Sequence, residues 1–170
     1  FHLENYFVGE KDLLSPPGDA FKLAMDLING ARVYVAAMCC GLIAASLDQA
    51  IAYTCERTSF GQAIIKHQGL RWSLVDVATD LEALRALTYQ AGEKIDGGAD
   101  ATTAAAYAKK FAGRVAVPAI TACIQAMGAN GLKKEFALGR HLTSSKIAGF
   151  TDGSTEMMNE RIGASLMRIK

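Results

Sequence analysis

The sequence predicts an all-α fold, an up-and-down helical bundle. Three observations carry that expectation. Apolar residues return at the helical period over three long stretches. No sustained β alternation follows residue 15, and no internal repeat is present. Hydrophobic residues make up 51% of the chain and charged residues 21%, which is a globular composition and not a disordered one. At 170 residues the chain fits one domain and can bury a real core.

Residues 1–15 are mixed in pattern, and Phe1, Leu3, Tyr6 and Val8 read as the end of a strand. Pro16-Pro17-Gly18 then stops any preceding element, and Asp19 is placed to cap a helix N-terminus. The first helix is expected over 20–56, with Leu23, Leu27, Val35, Met38, Leu42 and Leu47 near the helical period. Gly30 and Gly41 each weaken it by ~1 kcal/mol relative to Ala, usually because another backbone or a ligand comes close. The uncharged run between Arg32 and Asp48 is 15 residues, shorter than the ~20 that cross a bilayer. It reads as a core helix and not as a membrane span.

Residues 58–67 read as a loop around Phe60-Gly61. A second helix is expected over 69–94, where Leu70, Leu74, Val77, Leu81 and Leu84 form a stripe and Asp76, Asp80, Glu82 and Arg85 lie mostly off it. Asp96-Gly97-Gly98 ends it. A third helix is expected over 100–127; its small alanines let neighbours pack closely, and Tyr107, Phe111, Val115, Ile120 and Ile124 supply bulk. Pro118 inside it should bend it or cost a hydrogen bond. Gly128-Ala129-Asn130-Gly131 closes it, a short helix follows near 135–146, and a last helix over 154–167 comes after a break at 149–153.

Composition excludes several function classes. The formal net charge is +1, and Lys109-Lys110 and Lys133-Lys134 are isolated doublets expected at solvated helix ends, so no nucleic-acid surface is indicated. The four cysteines, Cys39, Cys40, Cys55 and Cys123, form no CxxC and read as free buried thiols of a reducing, cytoplasmic compartment. His2, His67 and His141 are far apart, so no metal site is expected. Phe1 to Glu10 is too polar for a signal peptide, and the absence of an initial Met suggests a fragment. No dinucleotide glycine fingerprint, Walker loop, HExxH or Ser/His/Asp signal appears.

Four polar breaks remain as candidate chemistry. Arg32, in Asn29-Gly30-Ala31-Arg32, either faces solvent or needs a buried partner, because an unpaired buried charge is costly. Arg57, Ser59 and Phe60, with His67-Gln68 beyond, could hold a phosphate and stack on a flat ring; the pattern alone favours a helix C-cap with a buried loop aromatic. Gln125-Ala126-Met127-Gly128-Ala129-Asn130-Gly131 admits a ligand near its backbone or simply terminates a helix. Thr151-Asp152-Gly153-Ser154 sets a carboxylate at a bend, where Asp152 or Ser154 equally well caps the last helix.

In their order and spacing these four breaks resemble the C-terminal domain of acyl-CoA dehydrogenases. That family carries Asn/Asp-x-x-Arg early in a long helix, then Arg-x-x-Phe-Gly and a Gln, then Gln-x-x-Gly-Gly-x-Gly, then Glu-Gly-Thr before a final helix. The matching residues here are Asn29 to Arg32, Arg57 to Gly61 with Gln68, Gln125 to Gly131, and Asp152-Gly153-Ser154. The resemblance spans residues 18–168. It implies a helical bundle over 18–170, preceded over 1–17 by the tail of a β-domain and a linker. The domains that hold the flavin ring would lie upstream, so this stretch alone is expected to be inactive.

The resemblance also implies roles. Asp152 would be the base that removes the α-proton of an acyl-CoA thioester, giving a trans-2-enoyl-CoA with FAD as hydride acceptor. Asn29, Arg32, Thr151 and Gly153 would lie at the substrate. Arg57, Ser59, Phe60, His67, Gln68, Gln125 and Ala129 would contact the ADP half of FAD in a neighbouring subunit, and Ser154 would lie beside the FAD. A homodimer or homotetramer and an electron acceptor such as an electron-transfer flavoprotein are implied as partners. The chain departs from the family where Asp152 replaces the usual Glu, Ala31 precedes the helix Arg, Ala129 replaces a Gly, and Thr143-Ser144 stands for Arg-Asp. Two alternatives therefore stand beside the dehydrogenase: a nitroalkane-oxidase-like flavoenzyme with an Asp base, and a non-catalytic oligomerisation module.

Overall fold

A computed structural model describes residues 2–167 and is built almost entirely of helix. The long helices are α1 (Ala20–Glu56), α2 (Gln68–Asp96) and α3 (Thr102–Met127), and the short ones are α4 (Leu138–Ala148) and α5 (Thr155–Met167). Between α1 and α2 a two-stranded antiparallel hairpin, β1 (Thr58–Ser59) and β2 (Gln62–Ala63), pairs Thr58 with Ala63 and Ser59 with Gln62. Single 3-10 turns occupy Glu10–Asp12, Ile64–Lys66, Gly128–Leu132 and Lys134–Phe136. The helix reading holds throughout, with boundaries moved by a few residues.

α3 is the centre of the bundle and touches each of the other four helices. Its buried face consists largely of Ala105, Ala108, Ala112, Ala116 and Ala119, with Val115, Ile120 and Cys123 between them. Small side chains let helix axes approach, so α3 can be surrounded without large voids. α2 buries the expected stripe of Leu74, Val77, Leu81 and Leu84. Gly131 lets the chain fold back on α3: a Cβ there would sit 2.9 Å from the backbone of Ile124. Pro118 lies within α3 on an exposed face.

Several expectations are corrected. Leu3, Tyr6 and Val8 form no strand; they are exposed, and a strand without a pairing edge has nothing to hold it. Phe1 lies outside the described residues. Asp19 occupies the position before α1 but has helical dihedrals, φ −92° and ψ −16°, and its side chain makes no capping bond. The 58–67 segment is a hairpin and a 3-10 turn, not an irregular loop. Leu23, Leu27 and Met38 are exposed, whereas α1 buries Ala36, Cys39, Ile43, Ser46, Ala50 and Thr54. The start of α3 comes level with Asn29, and before it α1 is exposed except at the half-buried Met25, which meets Arg161 of α5 at 3.1 Å, and Ile28. Neither Gly30 nor Gly41 has another group within 4 Å of a built Cβ, so no close approach explains them within this chain. Of the cysteines, Cys39 and Cys123 are buried, Cys40 is half-buried and Cys55 is exposed. Burial raises the Cys39 and Cys123 thiols to about 11. By length and composition α1 and the helical stretch 102–132 could cross a bilayer, but here they pack against each other as the core of the bundle.

Candidate functional site

The break between α4 and α5 is held by side chains from two other helices. Asp152 has φ +53° and Gly153 φ +103°, two successive left-handed residues. A non-glycine residue held there costs on the order of 1–3 kcal/mol and persists only where its surroundings fix it. Two buried cations do so from different helices. The Arg32 Nε donates to the Asp152 carbonyl at 3.1 Å. The Lys109 Nζ donates to the Gly153 carbonyl at 3.1 Å. Arg32 is 3% exposed and Lys109 2% exposed.

Arg32 also donates through Nη1 to Asn29 Oδ1 at 3.0 Å, and Asn29 Nδ2 donates to Thr102 Oγ1 at 3.1 Å. The network thus ties α1 to the start of α3 and to the Asp152 turn. Desolvation pulls the Arg32 guanidinium below its ordinary value, Arg161 adds to this, and Asp152 opposes it. Burial likewise lowers the Lys109 ammonium; Asp152 and Cys39 oppose that shift and Arg32 reinforces it. Asp152 is therefore the carboxylate that both cations feel, and it is itself half-buried. Ser154 donates its hydroxyl to Glu156, which holds that exposed carboxyl below the usual range. Thr151 is exposed, with its hydroxyl 3.5 Å from the Ala148 carbonyl. An open cleft of about 350 Å³ lies beside Asn29, lined by Asp26, Ile95 and residues 98–101.

The other expected residues gather at the opposite end of the bundle. Arg57 ends α1 in an extended conformation, and its side chain is exposed. Phe60 and Gly61 form the hairpin tip with φ +51° and +78°, the pair of positive values that a two-residue hairpin demands. Phe60 is not buried, as the pattern alone suggested; it is 95% exposed, edge-on to His67 at 6.1 Å. His67 lies 3.3 Å from the Ser59 carbonyl and 3.4 Å from the Gln62 amide. Gln68, Gln125 and Ala129 are exposed. Asn130 donates to the Tyr53 hydroxyl at 2.7 Å and binds the 128–132 turn to the end of α1. An exposed guanidinium, an exposed flat ring and two exposed amides fit a dinucleotide's phosphate and base, since among the described residues Arg57 has no ion pair to give up.

The expected residues thus form two clusters and not one. Arg32 and Arg57 lie 25 residues apart on one helix, about 37 Å at 1.5 Å per residue. Asp152, Arg32, Asn29, Thr151, Gly153 and Ser154 share one end; Arg57, Ser59, Phe60, His67, Gln68, Gln125 and Ala129 share the other. No group of three metal-ligating side chains exists among the described residues.

Lys109 was missed in the sequence, where it read as a solvated helix end. The signal was present: residues 105, 109, 112 and 116 recur at i, i+4, i+7 and i+11, which puts the lysine on the alanine-lined inner face.

Residues 18–167 match the family described as "Acyl-CoA dehydrogenase, C-terminal domain". Among curated relatives, the chain is 34% identical over 161 residues to the short-chain specific acyl-CoA dehydrogenase of Megasphaera elsdenii, a match covering 95% of this chain and 42% of that protein. It is 34% identical over 154 residues to the mitochondrial short/branched chain specific enzyme of Rattus norvegicus, covering 91% and 36%. Among solved structures, butyryl-CoA dehydrogenase from Megasphaera elsdenii superposes with a TM-score of 0.91 at 34% identity, covering 95% and 42%. The chain therefore spans less than half the length of these relatives.

Proposed function

The chain belongs to the acyl-CoA dehydrogenase family, as its C-terminal domain, and on that premise we propose that it is the helical part of a flavoenzyme that dehydrogenates an acyl-CoA thioester to a trans-2-enoyl-CoA. The cofactor is FAD, which when bound supplies the acceptor for the β-hydride. Asp152 removes the α-proton: its carboxylate stands at a turn whose two carbonyls are gripped by Arg32 and Lys109. That grip is the observation that carries the proposal, because a base must be held to within a fraction of an ångström of the position from which it can take the proton. Arg32 and Asn29, expected at the substrate, act chiefly on the turn, since Arg32 Nε and Nη1 and both amide atoms of Asn29 already bind each other, Asp152 and Thr102.

Arg57, Phe60, Gln68, Gln125 and Ala129 hold the ADP half of an FAD whose flavin end belongs to a neighbouring subunit. The 37 Å between the clusters supports this: each end of α1 then serves a different cofactor in a homodimer or homotetramer. We further propose an electron-transfer flavoprotein as acceptor, a cytoplasmic location, residues 1–17 as the tail of an upstream β-domain and a linker, and inactivity of these 170 residues by themselves. A second reading is favoured by Asp152 itself, since a nitroalkane-oxidase-like flavoenzyme also uses an Asp base. The outward-facing Arg57 and Phe60 argue against a non-catalytic oligomerisation module, which has no need of a nucleotide surface.

The test is Asp152→Asn in the complete polypeptide, with anaerobic single-turnover bleaching of the flavin by a panel of acyl-CoAs and nitroalkanes. The expected result is retained FAD and abolished reduction. Reduction at the wild-type rate would leave Asp152 as a turn residue only, and reduction of the parent enzyme by nitroalkanes but not acyl-CoAs would favour the second reading.

A further inference from the structure

We infer that Lys109 is a positioning residue for Asp152: its ammonium, buried beneath the α4–α5 turn, holds the Gly153 carbonyl and thereby fixes the backbone from which the Asp152 carboxylate projects. The inference rests on the reading of Asp152 as the base.

Three features argue for it. The first is peptide geometry. Each peptide unit is planar, so gripping its carbonyl oxygen orients the whole plane. Arg32 grips the plane between Asp152 and Gly153, and Lys109 grips the next one, between Gly153 and Ser154. Gly153, with φ +103°, is the soft joint between these planes, and a side chain on it would meet Met158 Cε at 3.0 Å and Arg32 Nη2 at 3.7 Å. Without Lys109 only one of the two planes is anchored, and the joint is free to turn.

The second is the shortness of Asp. Its carboxylate is separated from the backbone by one methylene, so its position follows the main chain closely. A longer acid could adjust its own torsions to make up a backbone shift. An Asp base therefore needs a better-held turn.

The third is the cost of the lysine to the fold. Among the described residues its hydrogen-bonded partner is a neutral carbonyl, and Asp152 lies near enough to be felt but not in ion-pair contact. An apolar side chain of similar length on the alanine-lined face of α3 would remove the cost of burying an ammonium without a contact carboxylate, which offsets the loss of the bond to the Gly153 carbonyl. A purely structural role does not account for its charge.

The experiment compares Lys109→Met and Lys109→Arg with Asp152→Asn in the flavin-loaded enzyme, measuring the flavin reduction rate per bound flavin, the KM for acyl-CoA and the melting temperature. Lys109→Met should lower the reduction rate tenfold to about a hundredfold, the loss associated with a misplacement near 1 Å, with KM and melting temperature little changed. Lys109→Arg, which keeps charge and donors, should recover part of it. A second measurement needs no flavin: amide hydrogen exchange in residues 151–155 should accelerate in Lys109→Met while α1 and α3 stay protected. Wild-type rate per bound flavin in Lys109→Met, beside an inactive Asp152→Asn, overturns the role of Lys109 alone; so does unchanged exchange in the turn. An active Asp152→Asn overturns the base assignment, and this role with it.

Discussion

Replacing Arg57 by Ala should separate cofactor binding from folding. Two bonds of the Arg57 main chain hold the end of α1: its N–H donates to the Tyr53 carbonyl at 2.9 Å, and its carbonyl accepts from Ile64 N–H at 2.8 Å. Both survive in Ala. The guanidinium is exposed and has no ion pair among the described residues, so the fold loses no more than about 0.5 kcal/mol. A charged hydrogen bond to a phosphate contributes about 1.5–3 kcal/mol, and at 1.4 kcal/mol per decade its loss weakens FAD roughly tenfold to a hundredfold. Because the contact is proposed to cross a subunit interface, the deficit should deepen on dilution of the protein. The assay is fluorescence titration of apoprotein with FAD at several protein concentrations, beside thermal unfolding of the apoprotein without FAD, where no bound ligand contributes to the melting temperature. An unchanged dissociation constant, or an apoprotein melting temperature lowered well beyond the effect of a surface substitution, would show that Arg57 is only the cap of α1 and refute the reasoning.

Three further outcomes are expected. Asp152→Glu lengthens the side chain by about 1.5 Å, one carbon–carbon bond; the reduction rate with acyl-CoA should hold or rise if the pocket still suits the family's Glu and should fall if it is built around Asp, as stopped-flow bleaching will read. Gly131→Ala places a Cβ 2.9 Å from the Ile124 backbone, where neither side can yield, and should destabilise the domain by about 1–3 kcal/mol in denaturant unfolding. Burial, helped by Arg140, lowers the His141 ring below its ordinary value, so the unfolded chain binds its proton more readily than the native one. His141 therefore adds no pH dependence above about pH 6.5 and makes stability fall as pH drops below it; His141→Gln should flatten the melting temperature between about pH 7 and 5, and an unchanged slope would remove His141 from the acid response.

The Gly/Pro punctuation and the 3.6-residue period carried most of the helical architecture in the sequence alone. Pro16-Pro17-Gly18 opens α1, Asp96-Gly97-Gly98 closes α2, Gly128 to Gly131 closes α3, and Gly149 to Gly153 separates α4 from α5. These are local steric facts, and local sequence determines them. The four polar breaks that carry the family resemblance were equally legible, because each interrupts an apolar run.

Tertiary structure alone decided which faces meet. Periodicity says that Arg32 shares a side of α1 with Val35, Ala36 and Cys39, but not that this side looks inward or that residue 152, 120 positions on, comes to its Nε. The same limit hid Lys109, which sits in phase with buried alanines yet reads as half of a surface doublet until α5 is docked over it. Burial of α1 before Asn29 likewise depends on where α3 begins, and Leu3, Tyr6 and Val8 form no strand because none of the described residues offers them a partner edge. Placing Arg57 and Arg32 at opposite ends of the bundle follows from α1 running as one helix from Ala20 to Glu56, a continuity that its two internal glycines left open in the sequence. Sequence fixes the direction of each side chain about its own helix; the distance between two of them exists only once the helices are packed.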